Sequence, residues 1–373
     1  MELNISALKK TLDNTNTSYK YLFFYALIKI INNNPQIKEI TFNKLIEEML
    51  ILAWLPSFQF NLNFRKQDQT QNLLTKFTEN TDKALKEKRA TNQIIKGIKK
   101  SVENITLNKD HSEILEKTLL RYVIERLVRP FYKDLQKRPE SGKKGMYKIS
   151  QKILNRDYKK EKPFYLIKYN NKKIILNKKW RNYIKDHFIF LELWILSEWH
   201  QYMQLHNSNT PSLYQKLKLP DYKRNSLDRD RKFWKAIIKK YPNQIKCIYS
   251  DQTLTNSNFD IDHFICWNFL GHDEIWNLIP ISSEINRSKN NKVPNQNLIE
   301  PFINLKISSF ELAKSILSKR DFEKYVLAHT NFLNEDESNC NTDNFKQKYK
   351  DEMLSLRNKA KNQGYEEFVV QLN

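Results

Sequence analysis

Apolar positions along the chain recur mostly at helical spacing and in two places at strand spacing. Residues 17 to 33 (TSYKYLFFYALIKIINN) are apolar nearly all round, which predicts a buried helix. A second helix is predicted across Phe42 to Trp54, stopping before Pro56. After a polar linker near Asn61 to Gln71, two more are predicted over about 80–104 and 111–128. The first of these carries Lys83, Lys86, Lys88, Arg89, Lys96, Lys99 and Lys100, a run that suits a solvated face as well as a DNA contact. The stretch FYLIKYNNKKIILN has two β-rich runs around Asn170-Asn171 and predicts a hairpin. A long aromatic helix over about 178–206 follows, then a basic segment, Lys216 to Lys240, that ends in a helix (RDRKFWKAIIKK). Two or three amphipathic helices close the chain beyond residue 300, and no internal repeat is visible.

The stretch from Ile245 to Pro294 is different in kind. IKCIYS reads as a strand, DQTLTNSN as a polar turn and FDIDHFI as a second strand. A loop carries WNLIP, and SSEINRSKNN reads as a short helix capped by Ser282 or Ser283, with Glu284 in its first turn. Together these make one small ββα unit able to hold a metal between hairpin and helix. The predicted fold class is therefore α+β and predominantly helical, with that unit embedded between helical regions. Four segments follow: a helical region 1–135, a basic middle region 136–240 with the hairpin and long helix, the ββα unit 241–300, and a helical region 301–373.

Composition sharpens the picture. Hydrophobic residues make up 40% and aromatics 12%, so the chain has material for a real core and is no disordered polyelectrolyte. Lys and Arg number 64 against 42 acidic residues, leaving +22. Such an excess opposes compaction, and a polyanionic partner is its usual reason; Lys-, Asn- and Ile-rich compositional drift is the bland alternative. The segment from Lys137 to Lys162 is loop-like and strongly basic, as a boundary or a phosphate-contacting arm would be. Three widely spaced cysteines, Cys247, Cys266 and Cys340, imply no disulfide framework. The start of the sequence lacks a secretory pattern, and the densest apolar run, Tyr21 to Ile28, is far short of a membrane span. A cytoplasmic location without membrane attachment is the expectation.

Hydrolysis of a phosphodiester needs a base near pH 7, for which imidazole is best matched, and a divalent cation to offset charge on the phosphoryl oxygens. A hard cation takes oxygen ligands from carboxylates and amides. Asp262, His263 and Asn286 supply one carboxylate, one imidazole and one amide oxygen. Neighbours on a flat strand face opposite ways, so Asp262 and His263 serve one site only at a twisted strand end. On the helix, Asn286, Lys289 and Asn290 share a face, offering a metal ligand together with a phosphate-binding cation.

DIDHFICWNF, then WNLIP, then INRSKNNKVP resembles the HNH endonuclease family, in the branch whose pattern reads roughly DHFIPW…WNLVP…N.SK…LP. Fourteen residues separate His263 from Asn277, and nine more lead to Asn286, a spacing shared with the HNH domain of RNA-guided CRISPR effectors. The resemblance implies a metal-dependent endonuclease acting on nucleic acid, double-stranded DNA first of all. His263 would be the general base, Asp262 and Asn286 the metal ligands, and Asn277 the residue holding the loop that orients His263. Lys289 and Arg287 would meet phosphate. Family context adds bacterial restriction or anti-phage defence as a setting. Asp-His occurs three times, at 110–111, 186–187 and 262–263, but only His263 has asparagine at both later positions; His187 leads to Gln201 and Thr210, His111 to Glu125 and Asp134.

Three departures qualify the resemblance. Cys247 keeps one cysteine of the paired CxxC motifs that brace many HNH domains, so no structural zinc is expected, and Tyr249, Phe264, Trp267 and Trp276 are expected to brace the unit by packing. Cys266 stands where the branch usually has proline. The last metal position is Asn286 rather than histidine, which favours magnesium or manganese over zinc. Asp260 shares a strand face with Asp262 and reads as a hairpin charge. Two rivals stay open: a nucleic-acid-binding protein with an inactive HNH unit, and an HNH nuclease acting on RNA or within a partner complex.

Overall fold

The structure, a computed structural model, describes residues 3–87, 91–121, 123–132, 162–218, 226–340 and 342–369. Most of the basic segment Lys137–Lys162, and residues 219–225 of the segment Lys216–Lys240, lie outside the described residues. The fold is α+β and predominantly helical. It divides into two compact units, Met1–Ser208 with Leu213–Pro220, and Asn209–Ser212 with Asp221–Asn373. Among the described residues no helix is long and apolar enough to cross a membrane.

In the first unit the all-apolar run forms the helix Tyr19–Asn33, with Tyr21 through Ile28 buried in succession. Phe42–Trp54 is helical, with Thr41 accepting from Lys44 N as its cap. Coiling does not stop before Pro56; it widens there into a π-helical turn, Leu55–Gln59, at the proline that cannot donate to the preceding turn. The hairpin forms as β2 (Tyr165–Lys168) and β3 (Lys173–Leu176), turning through Lys172 at φ 46°. A third strand, β1 (Glu39–Thr41), pairs antiparallel with β3, giving the order β1-β3-β2. Three residues carry no alternation to read, so β1 exists only through its distant partner. The long aromatic helix is broken into Lys178–Asp186 and Phe188–Gln204 at His187, whose ring stacks on Tyr183.

The second unit is built around one antiparallel pair, β4 (Phe259–His263) and β5 (Leu278–Ser282). This corrects the predicted hairpin. IKCIYS is not a strand; residues 245–254 close on themselves through Cys247 N to Gln252 O and Leu254 N to Ile245 O, with a single bridge at Lys246 and Thr253. The partner of β4 is instead the LIPIS run, whose first three residues belong to the expected WNLIP loop. Its five residues are all buried, and Pro280 is tolerated because a two-stranded sheet leaves each strand an outer edge.

The stretches 241–300 and 301–373 share one core. The Phe264 ring stacks on Phe302 at 4.0 Å and Trp276 on Phe332 at 3.8 Å. Tyr249 meets Phe368 edge-on, while Trp267 is only half buried. Phe302, Phe332 and Tyr349 belong to the helices Ile299–Lys314, Lys319–Leu333 and Asp343–Asn362. Truncating Phe302 to Ala removes the ring beneath Phe264 and should destabilise this unit by about 3–5 kcal/mol in urea unfolding; a loss under about 1 kcal/mol would show that this packing is dispensable.

His329 is fully buried here, and burial, with the Lys306 charge beside it, pushes its pKa down to about 3. The unfolded chain then binds a proton that the folded chain refuses, so stability falls as pH drops from about 6.5 towards 3. Unfolding free energies measured at pH 7, 5.5 and 4.5 should decline more steeply in the native chain than in His329→Leu. Parallel declines would remove His329 as a cause.

Candidate active site

Alternation along β4 sends Phe259 and Ile261 into the core and places Asp260 and Asp262 on the other face, against the short helix Ser283–Lys289. That helix begins where Ser282 Oγ accepts from Ile285 N at 3.4 Å, and ends at Asn290 with φ 47°, ahead of Pro294. Ser283, Asn286 and Lys289 follow at intervals of three and face the strand, so strand and helix meet in two polar rungs.

At the first rung, Arg231 Nη2 pairs with Asp260 Oδ1 at 3.1 Å. Burial alone would raise the Asp260 carboxyl, but hydrogen bonds from Ser283, Arg231 and Asn286 outweigh it and hold the carboxyl below its ordinary value. At the second rung, Lys289 Nζ lies 2.9 Å from Asp262 Oδ2 and donates to His263 O at 2.8 Å. Lys289 is 0% exposed. The expectation that its ammonium faces phosphate does not match this place: it sits under the strand end with both contacts spent inside the protein. Arg287 is exposed on the outer side of the same helix.

His263 closes β4 opposite Leu278. Its Nε2 is 2.9 Å from Asp273 Oδ1, and 11% of its side chain remains open to solvent. Asn277 is fully buried between the strands. Its Oδ1 accepts from Ile265 N and its Nδ2 donates to Ile265 O, both at 2.8 Å, while its own carbonyl accepts from Phe264 N at 2.9 Å. The two residues after His263 are thereby fixed to the start of β5.

The structure thus brings Asp262 to Lys289, His263 to Asp273 and Asn286 to Asp260, and pairs none of the three side chains of Asp262, His263 and Asn286 with another. Asp273 escaped the sequence reading; its only signal is an acid four residues ahead of Asn277 in the GHDE turn. Asp260 is more than a hairpin charge, since it gathers Arg231, Ser283 and Asn286. The other two Asp-His pairs lie outside this unit, with His111 stacked on Phe77 and His187 on Tyr183.

Among the described residues no group of three or more His, Cys, Asp and Glu side chains is arranged to hold a metal ion. The donor set at the rungs is a different one, two carboxylates and an amide. Asp262 Oδ2 is buried and, although close to Lys289, makes no hydrogen bond of acceptable geometry. A carboxylate oxygen whose near partner is a single ammonium, on the strand face that also carries the Asp260–Asn286 pair, suits a hard divalent cation. Cys247 and Cys266 are buried and take part in no disulfide among the described residues.

No curated protein and no solved structure matches the chain. One family model does, over residues 247–295, the segment that contains β4, β5, Asn277 and the short helix. That model is the one described as HNH endonuclease, and within those bounds this chain carries an HNH unit of that family.

Proposed function

We propose that the second unit is a metal-dependent endonuclease that hydrolyses DNA phosphodiester bonds, with His263 as general base. The observation that supports this most is the Asp273–His263 pair at the open end of β4. With Nε2–H donated to Asp273, the lone pair falls on Nδ1, which can take a proton from water; the Asp273 carboxylate then stabilises the imidazolium. The activated water attacks phosphorus in line and the P–O3′ bond breaks; the departing O3′ takes a proton from solvent, leaving a 5′-phosphate and a 3′-hydroxyl. Asp262 and Asn286, with Asp260 alongside, would hold a magnesium- or manganese-class ion, which when bound supplies positive charge to the phosphoryl and leaving oxygens. Asn277 keeps the chain beyond His263 from moving during this transfer. Lys289 braces Asp262 from inside, and exposed Arg287 offers a cation to the flanking phosphate.

One observation favours a second reading, a nucleic-acid-binding protein with an inactive HNH unit: the Lys289 ammonium already answers the Asp262 charge. Nicking of duplex DNA with magnesium, with and without chelator, separates the two. His263→Ala should abolish chelator-sensitive cleavage and leave binding nearly intact; Asp273→Asn should lower kcat by about 10–100-fold through the wrong tautomer. Full activity in His263→Ala would reject the assignment. Single-stranded DNA and RNA of equal length run beside the duplex identify the substrate.

The net charge of +22 and the exposed Lys232, Lys235, Lys239 and Lys240 on the helix Asp228–Lys240 support an electrostatic contact with the backbone. Neutralising ~6–10 phosphates loses roughly 10³–10⁵ in affinity between about 50 and 200 mM salt. A complex indifferent to salt over that range would exclude these residues as the nucleic-acid surface.

A further inference from the structure

The backbone around Asn277 does not close its hydrogen bonds within the HNH unit. Lys306 Nζ donates to Ile275 O at 2.7 Å and also to Leu278 O. Tyr349 Oη donates to Trp276 O at 2.5 Å. Three carbonyls bracketing the buried asparagine are therefore held by side chains from the helices Ile299–Lys314 and Asp343–Asn362, both outside residues 247–295.

Lys306 is 0% exposed, an expensive place for an ammonium. Burial pushes its pKa down to about 7, with Asp230 opposing that shift from the helix Asp228–Lys240. His329, on the helix Lys319–Leu333, also feels the Lys306 charge, and Asp230 feels that of His263. A residue selected for packing alone would be apolar here. Two donors converging on the carbonyls either side of Asn277 do something an apolar side chain cannot: they fix where the asparagine backbone sits. Asn277 in turn fixes Ile265, two residues beyond the proposed base.

We infer that Lys306 is a positioning residue for the HNH reaction, acting through Asn277 on His263, and that Tyr349 is its second clamp. The catalytic unit then extends past its family-matched segment into the C-terminal helices. The activity readout rests on the proposed nuclease function; a second readout is independent of it.

Lys306→Met keeps length and removes the donors. The expected result, in the full chain with native circular dichroism, is a fall in kcat of about tenfold or more with KM and duplex affinity within about threefold, because small misplacements of a reacting group cost rate rather than binding. In selectively ¹⁵N-Asn-labelled protein, the Asn277 side-chain amide should lose its protection from hydrogen exchange. Tyr349→Phe, which deletes one oxygen, should lower kcat by about threefold and weaken the same protection; it decides the matter if Lys306→Met does not fold. Folded variants with native kcat, or with an Asn277 amide as protected as in the parent, would overturn the inference. If the parent itself does not cleave DNA, the nuclease reading fails, and the exchange measurement alone judges the clamp.

Discussion

Asn277 meets both backbone polar groups of Ile265 with one amide, while its carbonyl takes the N–H of Phe264. These three bonds lock the exit of β4 to the entry of β5 at the point where the chain carries its imidazole. Interior amides must be satisfied somewhere, and here that requirement sets geometry: moving Ile265 would break two buried hydrogen bonds at once. The β4–β5 register, the place of His263 at the strand end and the loop that brings Asp273 to Nε2 all follow from that lock.

Charge within the site is answered locally. Asp260 is met by Arg231, Ser283 and Asn286; Asp262 is met by Lys289, which also ties down the carbonyl of His263. The two rungs differ in character. The first is partly open to solvent and rich in hydrogen bonds; the second is sealed, with one carboxylate oxygen short of a good donor. A sealed carboxylate held by one buried ammonium, next to one met by several hydrogen bonds, is an uneven arrangement that suits a cation. Other polar groups buried in the same unit, Lys306 and His329 among them, place it among structures that give up stability for geometry.

The spacing from His263 to Asn277 and Asn286, the capping serine and the apolar helices were readable because each depends on near neighbours in the chain. The errors share one origin. IKCIYS has the residues of a strand but pairs through a single bridge, Lys246 to Thr253, whereas LIPIS, which begins inside the expected WNLIP loop, becomes β5 because β4 lies opposite it. Likewise β1 is too short to show a period and is made by β3. Lys289 reads as a cation for phosphate, whereas the docked helix turns it inward to 0% exposure. Lys306 is one lysine in an amphipathic helix, with nothing nearby in sequence to mark it.

By itself the sequence determined the inventory: mostly helical, strongly basic, with one fifty-residue segment whose side chains fit phosphodiester chemistry. Periodicity, capping and motif spacing are local, so they survive in one dimension. Tertiary structure decided which strand pairs with which, which acid supports the histidine, and which lysines are withdrawn from solvent. Those outcomes depend on pairing register and on burial, both properties of residues distant in the chain, and only the packed fold brings them together.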